Sequence, residues 1–185
     1  MSHVTSTDLI DRASEIVTLE NVTKIYESGS RAVCALRNVS LAVNSGVFLA
    51  VMGEDRPGKT TLLKCLSGEI QPSSGGVRHG TPEARGTVVE WLGADGTGPG
   101  EETLPGRHPR LLLVDEGGEE VGAALRRAVQ RPGVAAVMTT TEPAAAACAD
   151  AVVFLHGGAV VDMVADAGPD RISECLERSA RLGPC

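Results

Sequence analysis

The sequence predicts an α/β fold whose sheet is largely parallel, with an antiparallel flank formed by the first strands. Apolar runs suited to buried strands alternate with segments of helical spacing along most of the 185 residues. The two earliest strands are joined by a short turn and not by a helix, which favours an antiparallel pair. Aromatic residues make up only 2% of the chain, so the core must be aliphatic, as in sheets covered by helices.

The N-terminal part of the chain predicts three strands followed by one helix. Residues 1–15 are polar and without pattern, which predicts a loose tail before a single domain over 16–185. The run VFLAVMG is uninterruptedly apolar, as expected of a fully buried strand, and the leucines after it have helical spacing. The motif QPSSGG then breaks the chain. The three strands and the helix are predicted at 16–26, 33–43, 47–53 and 59–66.

The C-terminal part continues the alternation of strands and helices. Residues 93–106 are rich in glycine and proline and lack periodicity, so they predict a loop or linker within the domain. A hairpin is predicted about Gly157-Gly158. Strands are predicted at 86–92, 109–116 and 134–141, and helices at 119–130, 143–150 and 169–182.

Charge and cysteine content narrow the classes of function. The formal net charge of −7 argues against a broad nucleic-acid-binding surface. The five cysteines are odd in number, widely spaced and never form C-x-x-C, which indicates a reduced chain. No secretory segment and no apolar run of 18 residues is present, so the sequence predicts a cytoplasmic protein without direct insertion into a membrane.

A phosphate-binding loop is predicted between the buried strand and the first helix. Gly53, Gly58, Lys59 and Thr60 satisfy the pattern G-x-x-x-x-G-K-[ST]. Such glycines let successive backbone N–H groups face a phosphate, and the helix directs its positive end there. Lys59 is expected to meet the β- and γ-phosphates, Thr60 to bind Mg²⁺, and Thr61 to contact the nucleotide. The alternative is a turn that merely precedes a helix.

The interior of this loop is unusual for a phosphate site. Pro57 has no N–H, and losing one charge-assisted hydrogen bond costs about 1.5–3 kcal/mol. Glu54 and Asp55 add negative charge, which at about 4 Å costs roughly 1 kcal/mol in water and about 4 at a dielectric constant of 20. Arg56 is expected to offset part of this by pairing with an acid or with the γ-phosphate. A net penalty near 3 kcal/mol would weaken binding about a hundredfold.

A second motif is a strand that ends in two acids. The apolar run 111–114 leads into Asp115 and Glu116. In P-loop ATPases the first acid after such a run holds the Mg²⁺ shell, and a following glutamate positions the attacking water. Asp115 is therefore a predicted metal residue, and Glu116 and Lys59 are predicted catalytic residues. The alternative is a strand that simply meets solvent.

These motifs and their order resemble the ATP-binding subunits of ABC transporters, particularly the lipoprotein-release and macrolide-export branch. The resemblance carries from VTLENVTKIY through GKTTLLKCLSGEI and HPRLLLVDE to VMTTTEPAAAACADAVVFLHGGAVV, and it implies a RecA-like P-loop core that uses ATP and Mg²⁺. It places Tyr26 against the adenine, unless that ring only packs locally. It aligns Glu90 with a glutamine that senses Mg²⁺. Implied partners are an intact ABC ATPase subunit or a membrane permease, reached at the inner face of the membrane.

The chain also departs from the family pattern. The LSGGQ signature and its helical subdomain have no counterpart in the 56 positions between Lys59 and Asp115, where the 93–106 linker stands instead. The sequence LSGE at 66–69 is similar to the start of the signature, but it directly follows the first helix, which is not where the family has the signature. Thr141 replaces the family's switch histidine and cannot perform imidazole chemistry. The Pro-Thr and Leu-Asp pairs after the catalytic glutamate are replaced by 117–118 and 121–122.

Three functional interpretations follow from the sequence. The first is an ABC-type protein that binds ATP weakly with Mg²⁺ and hydrolyses it weakly or not at all. The second is a pseudo-ATPase kept as a binding or regulatory module for a protein or a non-nucleotide small molecule. The third is a decayed remnant. The sequence leaves open the bound molecule, the partner and the oligomeric state.

Overall fold

The computed structural model of the chain describes residues 15–29, 31–53, 58–80, 89–92 and 109–182. Within this part no helix is long and apolar enough to cross a membrane. In chain order the strands are β1 (Glu15–Ser28), β2 (Arg31–Asn44), β3 (Phe48–Gly53), β4 (Ser74–His79), β5 (Val89–Leu92), β6 (Leu111–Val114), β7 (Ala135–Thr139), β8 (Ala151–His156) and β9 (Ala159–Ala165). The helices are α1 (Gly58–Ser67), α2 (Glu119–Ala128), α3 (Pro143–Ala146) and α4 (Pro169–Ala180).

The strands form two sheets. A six-stranded sheet has the order β5-β6-β7-β3-β8-β9, parallel except for β9, which pairs antiparallel with β8. A three-stranded antiparallel sheet has the order β2-β1-β4. The larger sheet places β7 between the strand before the phosphate loop and the strand before the two acids. The carboxyl ends of β3, β7 and β6 therefore meet at one edge.

Two apolar layers cover the two faces of the larger sheet. Alternate residues of β3 point to opposite faces, because successive side chains of a strand do so. Leu49 and Val51 belong to the layer with α1 and the smaller sheet. Phe48, Ala50 and Met52 belong to the layer with α2, α3 and α4. All five side chains are buried, which fixes β3 as the central strand that leads into the phosphate loop.

The predicted fold class is confirmed: the sheet is mostly parallel, helices flank it, and the early strands form an antiparallel unit. Two local predictions were wrong. The QPSSGG motif predicts a break in the chain, yet β4 begins within it at Ser74 and pairs with β1. The helix predicted at 143–150 ends at Ala146, because the amides of Cys148 and Ala149 bond to carbonyls three residues back and tighten the last turn.

The remaining boundaries shift by a few residues. Glu15, the last residue of the predicted tail, is the first residue of β1. The other residues of that tail and the predicted linker 93–106 lie outside the described residues. The buried strand predicted at 109–116 is ordered as a strand only over Leu111–Val114, so both acids stand beyond its end. This places them in a turn at the edge of the sheet.

Candidate functional site

The predicted phosphate-loop and acidic residues converge at the carboxyl edge of the parallel sheet. Lys59 and Thr60 lie in the first turn of α1, which follows β3. Asp115 and Glu116 follow β6 directly. Ligand sites of open α/β sheets lie at this edge, because the turns after parallel strands meet there. Lys59 and Asp115 are 56 positions apart in the sequence. They lie close together because β7 pairs with both β3 and β6.

Asp115 is held by two hydroxyl groups. The Thr60 hydroxyl donates a hydrogen bond to Asp115 Oδ2 at 2.7 Å. The Thr139 hydroxyl donates to Asp115 Oδ1 at 2.6 Å. Both carboxylate oxygens therefore accept a hydrogen bond, and the side chain has a defined direction. A hydroxyl and a carboxylate in contact are also the oxygen ligands that suit Mg²⁺.

The turn after Asp115 has an unusual backbone conformation. Glu116 has φ of +58°, the left-handed region that non-glycine residues seldom adopt. A residue held there costs of the order of 1–3 kcal/mol and persists only when its surroundings fix it. The Glu116 amide donates to Thr139 Oγ1 at 2.8 Å, and the Gly117 amide donates to the Thr139 carbonyl at 2.9 Å. Thr139 therefore fixes this turn.

Lys59 lies between the phosphate loop and the second acid. Its side chain is almost fully buried and its ammonium group is 3.3 Å from Glu116 Oε1. The same group donates to the carbonyl of Gly53 at 3.2 Å. Glu116 is 51% exposed, so solvent screens the ion pair on one side. The lysine predicted to meet a nucleotide phosphate is thus paired with the glutamate predicted to orient water.

Both glycines of the motif lie close to the backbone of neighbouring strands. At Gly53 a β-carbon would stand 2.3 Å from the carbonyl oxygen of Leu155, on the neighbouring strand β8. At Gly58 it would stand 3.0 Å from the carbonyl oxygen of Ala35. At both positions the backbone of the glycine lies close to the backbone of a neighbouring strand. Glycine is therefore required at Gly53 by packing as well as by the phosphate motif.

Tyr26 lies near the start of α1, as expected of a residue that borders the same site. Its hydroxyl is 3.4 Å from the hydroxyl of Thr61, and its side chain is 39% exposed. The ammonium group of Lys24 lies 5.3 Å from the centre of the ring, within cation–π range. Lys24 also donates to the carbonyl of Gln71 at 2.9 Å. The stacking role of Tyr26 stays a prediction.

Several predicted residues are not brought to the site by the described structure. Glu54–Pro57, including Arg56, lie outside the described residues. Glu90 lies on β5, where its backbone is paired with Leu112, and its predicted metal role stays a prediction. Thr141, at the position of the family's histidine, is exposed just beyond β7.

Among the described residues, Thr139 belongs to the site although the motifs did not indicate it. It is fully buried at the end of β7, between the two strands that carry the predicted residues. The available signal was a hydroxyl at the end of an apolar strand, in VMTTTE. Three threonines in a row gave no reason to choose among them, because the choice depends on which strands β7 lies between.

Known proteins match the chain most clearly around the phosphate loop. Residues 36–98 match the sequence profile described as ABC transporter. The chain is 38% identical over 76 residues to the bicarbonate transport ATP-binding protein of Synechocystis, covering 41% of this chain and 27% of that protein. It is 38% identical over 68 residues to a methionine import ATP-binding protein of Salmonella choleraesuis, covering 37% of this chain and 20% of that protein.

Solved structures extend the likeness to most of the fold. A dimeric ATP-binding cassette in a post-hydrolysis state, bound to ADP and phosphate, aligns with a TM-score of 0.65 at 19% identity. That alignment covers 83% of this chain and 100% of the other. A nucleotide-free cassette from an ABC transporter aligns with a TM-score of 0.66 at 12% identity, covering 90% of this chain and 98% of that one. At such identities the likeness concerns the fold alone.

The two kinds of match cover different parts of the site. The profile match includes Lys59 and Thr60. The chain spans only 27% and 20% of the lengths of the two curated relatives. Asp115, Glu116 and Thr139 lie outside residues 36–98. The phosphate-loop segment is similar in sequence to ATP-binding proteins of ABC transporters, and the fold around it is similar to that of ATP-binding cassettes.

Proposed function

We propose that the chain binds ATP together with Mg²⁺ at the edge formed by β3, β7 and β6, with weak or absent hydrolysis. The observation that carries the proposal is the contact between Thr60 and Asp115 at 2.7 Å, beside the buried ammonium group of Lys59. This donor set fits a divalent cation and a phosphate, since it joins hydroxyl and carboxylate oxygens to one cationic side chain.

Each of these residues has a defined task under this proposal. Lys59 would neutralise charge on the β- and γ-phosphates, and Thr60 with Asp115 would hold the metal. When bound, Mg²⁺ supplies charge neutralisation between the phosphate oxygens. Glu116 would orient water if hydrolysis occurs. Tyr26, close to Thr61 at the start of α1, would stack on the base.

The affinity is expected to be low. The sequence of the loop interior predicts a penalty near 3 kcal/mol, or about a hundredfold in the dissociation constant. The Lys59–Glu116 ion pair adds a second obstacle, because it must open before the lysine can meet a phosphate. We therefore expect a dissociation constant in the range of tens of micromolar to millimolar, which calorimetry can measure.

The test is a nucleotide titration of the full chain, with ATP in Mg²⁺ and with ATP in EDTA. Wild type should bind ATP more tightly in Mg²⁺, and Lys59→Ala should abolish binding, because it removes the buried cation in the first turn of α1. Lys64→Ala is a matched control, since Lys64 lies further along the same helix, half-exposed and paired with Glu69. No heat from wild type at millimolar Mg-ATP would overturn the proposal.

A pseudo-ATPase that serves as a binding or regulatory module is the second candidate. The ion pair between Lys59 and Glu116 favours it, because the lysine already has an anionic partner within the chain. This candidate predicts a stable fold without a response to ATP and co-purification of a protein or small molecule. ATP turnover that disappears in Glu116→Gln would count against it.

The first candidate would place the chain beside a transporter. The methionine import and bicarbonate transport proteins are, by their names, ATP-binding components of transport systems. By analogy the chain would work in the cytoplasm and reach the inner face of the membrane through an intact ABC ATPase subunit or a permease. Co-purification with tagged chain would test this association.

A further inference from the structure

Thr139 makes three hydrogen bonds with the acidic turn among the described contacts. It is fully buried at the carboxyl end of β7. Its hydroxyl donates to Asp115 Oδ1 at 2.6 Å and accepts the Glu116 amide at 2.8 Å. Its carbonyl accepts the Gly117 amide at 2.9 Å. Thr139 is thus hydrogen-bonded, through its side chain and its backbone, to the three consecutive residues 115–117.

The place of Thr139 in the sheet explains how it reaches both halves of the site. β7 pairs on one side with β3, where Val51 lies opposite Thr139. On the other side β7 pairs with β6, where Val114 lies opposite Met138. Asp115 therefore begins where the β6 pairing ends, directly beside Thr139. The Thr140 amide continues the link to β3 by donating to the Val51 carbonyl at 3.1 Å.

The direction of the Asp115 carboxylate depends on two donors from different elements, the helix α1 and the strand β7. Thr60 approaches from the phosphate loop and binds Oδ2, while Thr139 approaches from β7 and binds Oδ1. Without Thr139, Oδ1 would lose its donor and the Glu116 amide would lose its acceptor. The left-handed conformation of Glu116 would then lose one of the bonds that maintain it.

We propose that Thr139 is a positioning residue, which sets the Asp115 carboxylate for the metal and the Glu116 backbone for its place beside Lys59. The part that concerns the metal rests on the function proposed above. The part that concerns the turn is a property of the ligand-free chain. If Thr139 only fills space, replacing its hydroxyl by a methyl group would change neither the Asp115 carboxylate nor the Glu116 backbone.

The first arm of the test uses ligand-free protein. Thr139→Val keeps the shape and removes the hydroxyl, and hydrogen exchange measured by NMR reports the Glu116 and Gly117 amides. Loss of one hydrogen bond should speed exchange at Glu116 about tenfold. Thr140→Val is the matched control, because Thr140 is equally buried and its hydroxyl accepts only the Glu142 amide among the described contacts. Unchanged exchange at Glu116 in Thr139→Val would overturn the positioning role.

The second arm measures ATP affinity by calorimetry in Mg²⁺ and in EDTA. Thr139→Val should weaken binding about tenfold in Mg²⁺ and less than about twofold in EDTA, because Lys59 is retained. Thr139→Ser, which keeps the hydroxyl, should restore the Mg²⁺ dependence, and Thr140→Val should behave as wild type. Equal loss with and without Mg²⁺, or failure of the serine variant to restore it, would overturn the metal-related part.

The two arms separate the possible failures. Wild type that binds no ATP in either buffer sinks the proposed function and the metal-related part, while the exchange arm still decides whether Thr139 holds the turn. If Thr139→Val does not fold, Thr139→Ser and Thr139→Ala form a second pair that differs by the hydroxyl alone. Faster Glu116 exchange in the alanine variant than in the serine variant supports the proposal, and equal exchange overturns it.

Discussion

The ion pair between Lys59 and Glu116 predicts that Glu116→Gln binds ATP more tightly than wild type. The two side chains lie 3.3 Å apart, with the lysine almost fully buried and the glutamate 51% exposed. A phosphate that approaches Lys59 would compete with this carboxylate for the ammonium group. Glutamine keeps the size of the side chain and removes its charge, so it tests this competition without opening a cavity.

The size of the effect follows from two terms. A half-exposed ion pair stabilises the ligand-free protein by about 0–1 kcal/mol. Wild type loses this amount when ATP binds, whereas Glu116→Gln has no ion pair to lose. Repulsion between a carboxylate and a phosphate charge at about 4 Å is roughly 1 kcal/mol in water and about 4 at a dielectric constant of 20. Because Glu116 is exposed, the lower end applies, and the sum is about 1–2 kcal/mol. We therefore expect about five- to thirtyfold tighter binding.

Calorimetry with Mg-ATP measures this change directly. Glu120→Gln is the control, since Glu120 is exposed in the first turn of α2 and its removal changes the net charge equally. It should leave the affinity within about twofold, because an exposed charge at a distance is screened by salt. Unchanged or weaker binding by Glu116→Gln would refute the competition, and the ion pair would then be irrelevant to the nucleotide.

Two further predictions concern the scaffold of the site. Gly53→Ala should lower the free energy of unfolding by about 1–3 kcal/mol in urea denaturation, because its β-carbon would stand 2.3 Å from the Leu155 carbonyl oxygen. Gly76→Ala, with open space around it, should change it by less than about 0.5 kcal/mol. Burial raises the pKa of the Cys65 thiol above its usual value of 9.0, against a smaller opposing effect of Lys24. The folded state favours the neutral thiol, so the stability of wild type should fall as the pH rises above about 9, through the raised pKa. Cys65→Ala should lack this part of the pH dependence, and an identical profile would contradict it.

Much of the fold could be predicted because buried parallel strands leave a plain signal. The run before Gly53 and the run 111–114 are uninterruptedly apolar, and both are fully buried strands. β4 left no such signal, since its sequence SGGVRH is neither apolar nor alternating. It is a strand because β1 offers it an open edge, with Leu19 opposite Val77. The pairing of β4 with β1 is a tertiary contact, which a local sequence pattern cannot predict.

The site was predictable where chemistry requires a fixed spacing along the chain. The phosphate motif marks Lys59 and Thr60, and the end of an apolar strand marks Asp115 and Glu116. Contact between these two pairs and the buried position of Lys59 follow from strand order. The ion pair itself was not expected, since each of its members was assigned a ligand of its own. The left-handed conformation of Glu116 also has no sequence signal, because glutamate is not a residue that favours it.

The departures of the chain from the family motif bear on different elements of the site. The altered loop interior and the Lys59–Glu116 ion pair both act on affinity for the phosphates. The contacts of Asp115 with Thr60 and Thr139 are complete, and they bear on the metal. Thr139 places a buried hydroxyl, and Thr60 a partly buried one, on the two carboxylate oxygens of Asp115. A fold that served by its shape alone would not require these hydroxyls, since a methyl group could fill either place. This geometry at Asp115 therefore favours the proposed Mg-nucleotide site.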